Sequence, residues 1–322
     1  MEGGLIERTN AYKIVANDKK AGRLFHAYLL LDKDEKYLRS TLKRFAKLIL
    51  CEKGGCGECR VCRLIEKESY ADAVFFPKIG DKILTEDVNA IIEDSFVKPL
   101  EGDKKLFAVS GAQNMPAAAQ NKLLKTLEEP PQNVILLLGA SNPYALLPTV
   151  RSRVKTLEIP PFTDGEIVRA LEKTCPDKEK LALAAACGDG TLGRAEELYG
   201  DEELEKLFDL TADIVVNMRS SRDVLKYSSL LMKNKERMGD VFSIASSLFR
   251  DMLAEKEGGR AIDPRAQERV RGAEGYTAGA LVHALEKTEE AQKRAAAFNA
   301  NETMLAEWWL FAILEGKHIW QK

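Results

Sequence analysis

The chain has 322 residues, of which 45% are hydrophobic, so it is long enough to bury sizeable cores in two or three domains. Its 48 basic and 50 acidic residues give a formal net charge of -2. The chain therefore has no overall positive charge that would attract nucleic acid. Any contact with DNA must therefore be local or shared with partners.

The N-terminal residues MEGGLIERTNAYKIV lack the apolar core that a signal peptide needs. No run in the sequence approaches the length of an apolar membrane span. We therefore expect a soluble cytoplasmic protein whose cysteines stay reduced.

The first predicted element is a buried strand at Ala27–Leu31, and a helix follows it. In an ATPase, the phosphate-binding pattern G-x-x-x-x-G-K-[ST] would join this strand to this helix. Here Asp32 and Tyr37 occupy the glycine positions, Leu38 replaces the lysine and Arg39 replaces the hydroxyl residue. Side chains at the glycine positions block the backbone's approach to phosphate, and the acidic loop repels it.

A cluster of four cysteines comes next, within CEKGGCGECRVC: Cys51, Cys56, Cys59 and Cys62. Four thiolates at this spacing, with glycines that permit tight turns, can close around one structural zinc ion. One alternative is a disulfide pair, which a reducing compartment disfavours. Another is an iron-sulfur cluster, but the Cys-Pro that follows the C-x2-C-x2-C run in ferredoxins is absent. We expect Lys53, Arg60 and Arg63 to offset part of the cluster's negative charge.

Strands are then predicted at Ala73–Phe76 and Lys82–Leu84, and Thr85 is a candidate N-cap for the helix that follows. Another apolar run, Leu106–Val109, predicts a strand that ends at Ser110-Gly111-Ala112. An active ATPase would carry an Asp-Glu pair at this point to hold magnesium and orient water, but no carboxylate is present.

A helix with leucines on one side ends at Pro130-Pro131, and a strand is predicted at 134–138. A short apolar helical turn then presents Arg151 and Arg153, and a last strand covers 157–159. Because strands and helices alternate, the sequence predicts an α/β domain with a parallel sheet. Functional groups in such sheets lie at the carboxyl ends of the strands.

After Pro160-Pro161 no further strand is predicted, and the apolar spacing predicts helices in the rest of the chain. Residues 163–202 predict three short helices, and residues 203–322 are helical throughout. Met304–Leu314 is too apolar all round for a solvent-facing helix, so we expect burial in its own bundle or against a partner.

The motifs LLKTLEEPP at 123–131 and LLPTVRSR at 146–153 resemble the AAA+ clamp-loader family of bacterial DNA polymerase III, and within it the delta-prime branch. The Ser-Arg-Cys motif of that family reads Ser152-Arg153-Val154 here. The resemblance implies that Arg153, next to Ser152, is an arginine finger for the ATP held by a neighbouring subunit. A guanidinium suits this role because it stays charged and binds two phosphate oxygens at once.

The resemblance also implies three domains. They are an AAA+ domain at 1–162 with a zinc module at 51–62, a helical lid at 163–202 and a helical collar for oligomerisation at 203–322. It implies as partners the delta subunit and the gamma or tau ATPase subunits, with the sliding clamp and primed DNA reached through the complex. The chain itself would bind no ATP and would not be an enzyme on its own, but a subunit of the DNA polymerase III holoenzyme.

Two other functions remain open. The chain could be an active ATPase with an atypical phosphate loop, which nucleotide binding to the isolated chain would reveal. It could also be a zinc-dependent DNA-binding protein, which salt-sensitive DNA binding would reveal. The near-neutral charge disfavours the second reading.

Overall fold

The computed structural model describes residues 4–78, 82–258, 276–296 and 301–319. It divides the chain into two compact units, Met1–Phe162 and Thr163–Lys322. Within the described ranges, no helix combines the length and the apolar character that crossing a membrane requires.

Strands and helices alternate in the N-terminal unit. The strands are β1 (Ala27–Leu31), β2 (Ala73–Phe76), β3 (Lys105–Ser110), β4 (Val134–Ala140) and β5 (Lys155–Glu158). The helices are α1 (Leu5–Arg8), α2 (Asn10–Lys20), α3 (Glu35–Leu50), α4 (Arg60–Glu66), α5 (Thr85–Ser95), α6 (Ala117–Glu128) and α7 (Pro148–Arg151). Short 3-10 turns lie at Ala112–Asn114 and Pro143–Ala145.

The five strands form one parallel sheet in the order β2-β3-β4-β1-β5. Leu31 pairs with Ala140, and Ser110 pairs with Gly139, so β1, β3 and β4 end at the same edge. The α/β fold with a parallel sheet is confirmed. The loops that follow these three strands share the edge where ligands of such sheets bind.

Side chains of the sheet alternate between two buried cores. Leu106 and Leu137 pack with α2, α3 and α4 on one face, whereas Phe107 and Leu136 pack with α5 and α6 on the other. Gly139 permits the close packing of α3, because a Cβ at this position would lie 2.8 Å from Leu38 Cδ1. Helix α3 therefore packs closely against the carboxyl-terminal part of β4.

The strand predicted at Lys82–Leu84 is wrong. The Leu84 backbone N–H donates to Asp87 Oδ2 at 2.9 Å, so this group caps helix α5 and is not available to a sheet. Thr85, the predicted N-cap, is instead the first residue of α5. The Leu84 backbone N–H, which a strand would use to pair with its neighbour, is instead hydrogen-bonded within the helix cap.

The C-terminal unit contains helices joined by loops, with no strand among the residues that the structure describes there. Its helices are α8 (Asp164–Leu171), α9 (Lys178–Ala186), α10 (Leu192–Leu198), α11 (Glu202–Asn217), α12 (Ser221–Leu231), α13 (Met238–Lys256), α14 (Ala278–Ala296) and α15 (Glu302–Ile319). One buried core contains residues from α9 to α15. The division of this unit into a lid and a collar stays a prediction.

The apolar last helix is largely buried within its own unit. Trp309 is fully buried, its indole N–H donates to the Thr288 hydroxyl at 3.0 Å, and its ring meets Phe242 edge-on at 5.2 Å. Met304 and Phe311 remain exposed on the same helix. Burial thus explains most of the helix's apolar character, and Met304, Phe311 and Ile319 remain available to solvent.

Candidate functional site

The loop that follows β1 is held by its own carboxylates. Asp34 caps helix α3, because Oδ1 accepts the Tyr37 backbone N–H at 3.1 Å. Asp32 is buried, and it accepts the Asp34 backbone N–H at 3.0 Å and the Thr41 hydroxyl at 3.1 Å. Burial raises the pKa of Asp32 to about 6. A side chain therefore occupies the positive helix end where an ATPase would hold phosphate.

A third carboxylate, that of Glu35 at the start of α3, joins the three loops at the sheet edge. Glu35 Oε1 accepts the Ser141 hydroxyl at 2.5 Å and the Gln113 side-chain amide at 3.1 Å. The same amide also donates to Ser141 Oγ at 3.1 Å. Residues after β1, β3 and β4 are thus cross-linked by side chains in the region where a magnesium-bound phosphate would lie in an ATPase.

Arg39, at the position of the magnesium-binding hydroxyl, points elsewhere. Its guanidinium donates to both oxygens of Glu68 at 2.8 and 2.6 Å and to the Pro77 carbonyl at 3.1 Å. Hydrogen bonding from Arg39 outweighs burial and lowers the pKa of Glu68 to about 2. Arg39 therefore serves a structural ion pair.

Arg153 lies on the surface, just after helix α7, with 35% of its side chain exposed. Its Nη1 donates to the Thr149 carbonyl at 2.9 Å and to Ser152 Oγ at 3.1 Å. Ser152 is exposed, and its hydroxyl donates to the same Thr149 carbonyl at 3.0 Å. These contacts orient the guanidinium without burying it.

Glu128, which the sequence analysis did not single out, completes the setting of Arg153. Its Oε1 lies 2.7 Å from Arg153 Nη2, and half of its side chain is exposed. Glu128 is the last residue of α6, directly before the acidic and proline residues that end LLKTLEEPP. In the sequence, Glu128 is recognisable only as a carboxylate at the end of a predicted helix. No local pattern pairs it with Arg153, which follows 25 positions later.

Gln120 fixes the segment that leads to Arg153. It is buried, and its side-chain amide donates to the carbonyls of Met115 at 3.0 Å and Ala145 at 3.2 Å. Its Oε1 accepts the Leu147 backbone N–H at 2.7 Å, one residue before α7. One side chain thus replaces the missing backbone partners of two loops.

We expect Gln120→Leu to lower the free energy of unfolding by about 2–3 kcal/mol, because it leaves buried backbone groups unpaired. Urea denaturation followed by circular dichroism measures this loss. Asn121→Ala, at the exposed neighbouring position, is the matched control and should change stability by less than about 0.5 kcal/mol. Equal stability of the two variants would contradict the role given to Gln120.

Arg151, the second arginine of this segment, faces an aromatic ring. Its guanidinium lies 5.4 Å from the centre of the Tyr144 ring, which is 83% exposed. This cation-π contact holds Arg151 near the end of β4. The two arginines therefore differ, because Arg153 meets a carboxylate and Arg151 meets an exposed ring.

Arg194, in the C-terminal unit, also has a protein partner. Its Nη2 lies 3.6 Å from Asp240 Oδ1, and Asp240 accepts a closer contact from Arg237 at 2.7 Å. Arg194 thus belongs to a small ion-pair network in its own unit.

The four cysteine sulfurs converge. All four Sγ atoms lie within 4.8 Å of one another, with Cys51 3.8 Å from Cys56 and 3.6 Å from Cys59. A tetrahedral zinc ion with bonds of about 2.3 Å requires sulfurs about 3.8 Å apart. The loop closes through left-handed glycines, Gly54, Gly55 and Gly57, with φ of 70°, 89° and 79°. The cluster therefore fits a four-coordinate metal ion.

Backbone amides favour the thiolate form of Cys51 and Cys56, whereas burial disfavours it at Cys62. Burial alone would raise the pKa of Cys51, but the N–H groups of Cys56 and Gly55 bring it down to about 6. At Cys62 burial dominates and raises the pKa to about 12. A bound cation would remove that proton, because metals bind the deprotonated thiol.

The positive charge next to the cluster comes from an unexpected residue. Arg60, expected to offset the cluster's charge, is instead paired with Glu101, and Lys53 and Arg63 are exposed. Lys19 Nζ donates to the Leu48 carbonyl at 2.9 Å and to the carbonyl of Cys51. The expectation for Arg60 is therefore wrong, and a lysine 32 residues before Cys51 lies at the cluster.

Comparison with known proteins extends these findings. Residues 7–163 match a family model described as DNA polymerase III, delta subunit. The chain is 35% identical over 153 residues to DNA polymerase III subunit delta' of Bacillus subtilis, covering 47% of this chain and 46% of that protein. It is 31% identical over 183 residues to subunit delta' of Pseudomonas aeruginosa, covering 54% and 56% respectively.

The tau/gamma subunit of DNA polymerase III from Haemophilus influenzae is 30% identical over 161 residues, covering 49% of this chain and 23% of that protein. The chain thus spans about half or less of the length of these curated relatives. The resemblance to the delta-prime branch, first drawn from LLKTLEEPP and the Ser152-Arg153 segment, is confirmed.

Proposed function

From the match of residues 7–163 to the family described as DNA polymerase III, delta subunit, we propose that the chain is an ATP-silent delta-prime subunit of the clamp loader. In this role it supplies Arg153 to the ATP of a neighbouring ATPase subunit. Its partners are the delta subunit and the gamma or tau subunits, in the cytoplasm. Through the complex it reaches the sliding clamp and primed DNA.

One observation carries this proposal: Asp34 caps the N-terminal end of helix α3, so a protein carboxylate occupies the place of a phosphate. Asp32 and Glu35 add negative charge around the same point, and Arg39 is committed to Glu68. A polyphosphate would meet three carboxylates, Asp32, Asp34 and Glu35, at this helix start. These contacts support a chain that holds no nucleotide of its own.

The setting of Arg153 supports its action on a second subunit. A carboxylate and a phosphate oxygen bind the same guanidinium fork, so the contact with Glu128 can be exchanged for a contact with phosphate. Thr149 and Ser152 continue to hold Nη1 during such an exchange. The arginine then stabilises the negative charge that develops as the neighbour's terminal phosphoryl group leaves.

Nucleotide binding tests the ATP-silent part of the proposal. We expect no saturable binding of a fluorescent ATP analogue to the isolated chain at micromolar concentration, because carboxylates occupy the phosphate position. A purified gamma or tau ATPase subunit serves as the positive control in the same titration. Micromolar binding by this chain would favour an active ATPase with an atypical loop.

The cysteine cluster is proposed to hold zinc. The residues fit it, because four sulfurs lie at tetrahedral spacing and fill every coordination position. Bound zinc would supply a structural cross-link between the end of α3 and the start of α4. With no open position for water or substrate, the site has no catalytic role.

The C-terminal unit is proposed to contain the lid at 163–202 and the oligomerising collar at 203–322. Two exposed apolar side chains on α15, Met304 at 68% and Phe311 at 47%, support a role in assembly. They are seven residues apart and therefore lie on one face of the helix. A subunit that packs against this face would cover both side chains.

A further inference from the structure

The cysteine cluster places negative charge where negative charge is already present. A zinc ion bound by four thiolates carries a net charge of about -2 by formal count. Cys51 is also the C-cap of α3, and the carbonyl end of a helix carries a partial negative charge. Cys51 and Cys62 are both buried, so solvent offers little compensation.

Lys19 supplies a cation at this point. Its ammonium donates to the Leu48 carbonyl, in the last turn of α3, and to the carbonyl of Cys51, the first cysteine of the cluster. It thereby satisfies carbonyls at the end of α3 and lies against the backbone of the first cysteine of the cluster. Arg60 does not substitute for it, because Glu101 already pairs with that guanidinium.

Lys19 belongs to a helix that packs against the cysteine loop at a second point. Tyr12 lies seven residues earlier on the same face of α2. A Cβ at Gly55 would lie 3.2 Å from the Tyr12 hydroxyl oxygen, so the loop approaches α2 as closely as a glycine allows. Tyr12 also meets Phe45 of α3 edge-on at 5.4 Å.

We propose that Lys19 is the positioning residue of the metal centre, and that zinc binding through it fixes helix α2 to the end of α3. The inference rests on the zinc assignment and goes beyond it by naming the residue that couples the metal to the N-terminal helices. The lysine stabilises the metal-bound form by offsetting its charge and by ordering Cys51. Zinc in turn stabilises the docked position of α2, because the coupling of two equilibria is reciprocal.

The test uses the full chain and measures zinc affinity by competition with a chromophoric chelator. We expect Lys19→Met, which keeps the apolar stem and removes the cation, to weaken zinc binding by about 10–100-fold. Lys19→Arg should retain most of the affinity. Lys20→Met, at the exposed neighbouring position, is the matched control and should bind zinc like the unaltered chain. Equal affinities of Lys19→Met and Lys20→Met would overturn the proposal.

A second measurement on the unaltered chain covers the case in which Lys19→Met does not fold. Hydrogen exchange is followed in α2 and α5 before and after zinc removal. We expect at least about tenfold faster exchange in α2 after removal and little change in α5, which packs on the opposite face of the sheet from α2, α3 and α4. No change in α2 on zinc removal would overturn the coupling. A chain that binds no zinc at all would overturn the zinc assignment as well.

Discussion

Replacing Arg153 with alanine is expected to abolish most ATP hydrolysis at the neighbouring site that receives this arginine. The rate at that site should fall by about 10³–10⁵-fold, which is the contribution of an arginine finger to phosphoryl transfer. Folding should be unaffected, because the guanidinium is on the surface and its pair with Glu128 is worth about 0–1 kcal/mol. Clamp- and DNA-stimulated hydrolysis by the reconstituted complex measures the effect.

Two further variants separate charge from geometry in this experiment. Arg153→Lys keeps the charge but loses the planar fork, so we expect only partial activity. Arg8→Ala, which removes an exposed arginine from helix α1, is the control and should leave hydrolysis unchanged. Assembly is checked by gel filtration for each variant. Unchanged hydrolysis by an intact complex that contains Arg153→Ala would contradict the proposed finger.

Loss of the metal ion is expected to have the largest effect on stability. Chain purified without chelator should contain close to one zinc ion per molecule, because the four sulfurs form one closed site. Cys56→Ser should lower the zinc content and the melting temperature of the N-terminal unit by about 10 °C, from a loss of about 3 kcal/mol or more. Metal analysis and calorimetry measure the two quantities.

Cys56 is the informative choice because its side chain is exposed, so the substitution removes a ligand without opening a cavity. Cys175→Ser is the control, since this buried cysteine lies outside the cluster and should leave the zinc content unchanged. Iron in place of zinc, or a full zinc content in Cys56→Ser, would contradict the assignment. Either result would also remove the basis for the proposed role of Lys19 at the zinc site.

Local patterns predicted the elements of the N-terminal unit well. The apolar runs at 27–31 and 73–76 are strands in the structure with the same bounds, because residues buried on both faces of a parallel sheet must be apolar. The prediction failed at Lys82–Leu84, where a helix cap competes for the backbone. Capping depends on one side-chain contact, and apolar periodicity does not report it.

Pairs that are distant in the sequence could not be predicted. Glu35 meets Ser141 across 106 positions, and Lys19 reaches Cys51 across 32. Neither pair follows a spacing rule, because each depends on how a helix packs on the sheet. The expected counter-charge from Arg60 failed for the same reason, since its guanidinium pairs with Glu101, 41 positions later in the sequence.

The sequence by itself determined which groups exist: a phosphate loop without glycines, four cysteines at metal-binding spacing, and an arginine after a short helical turn. Such features are local, because a few neighbouring residues fix the chain geometry and the available chemistry. Only the tertiary structure decided what those groups meet. It placed Asp34 in the phosphate position, Glu128 against Arg153 and Lys19 beside the cysteines, because side chains far apart in the sequence are brought together only when the helices pack on the sheet.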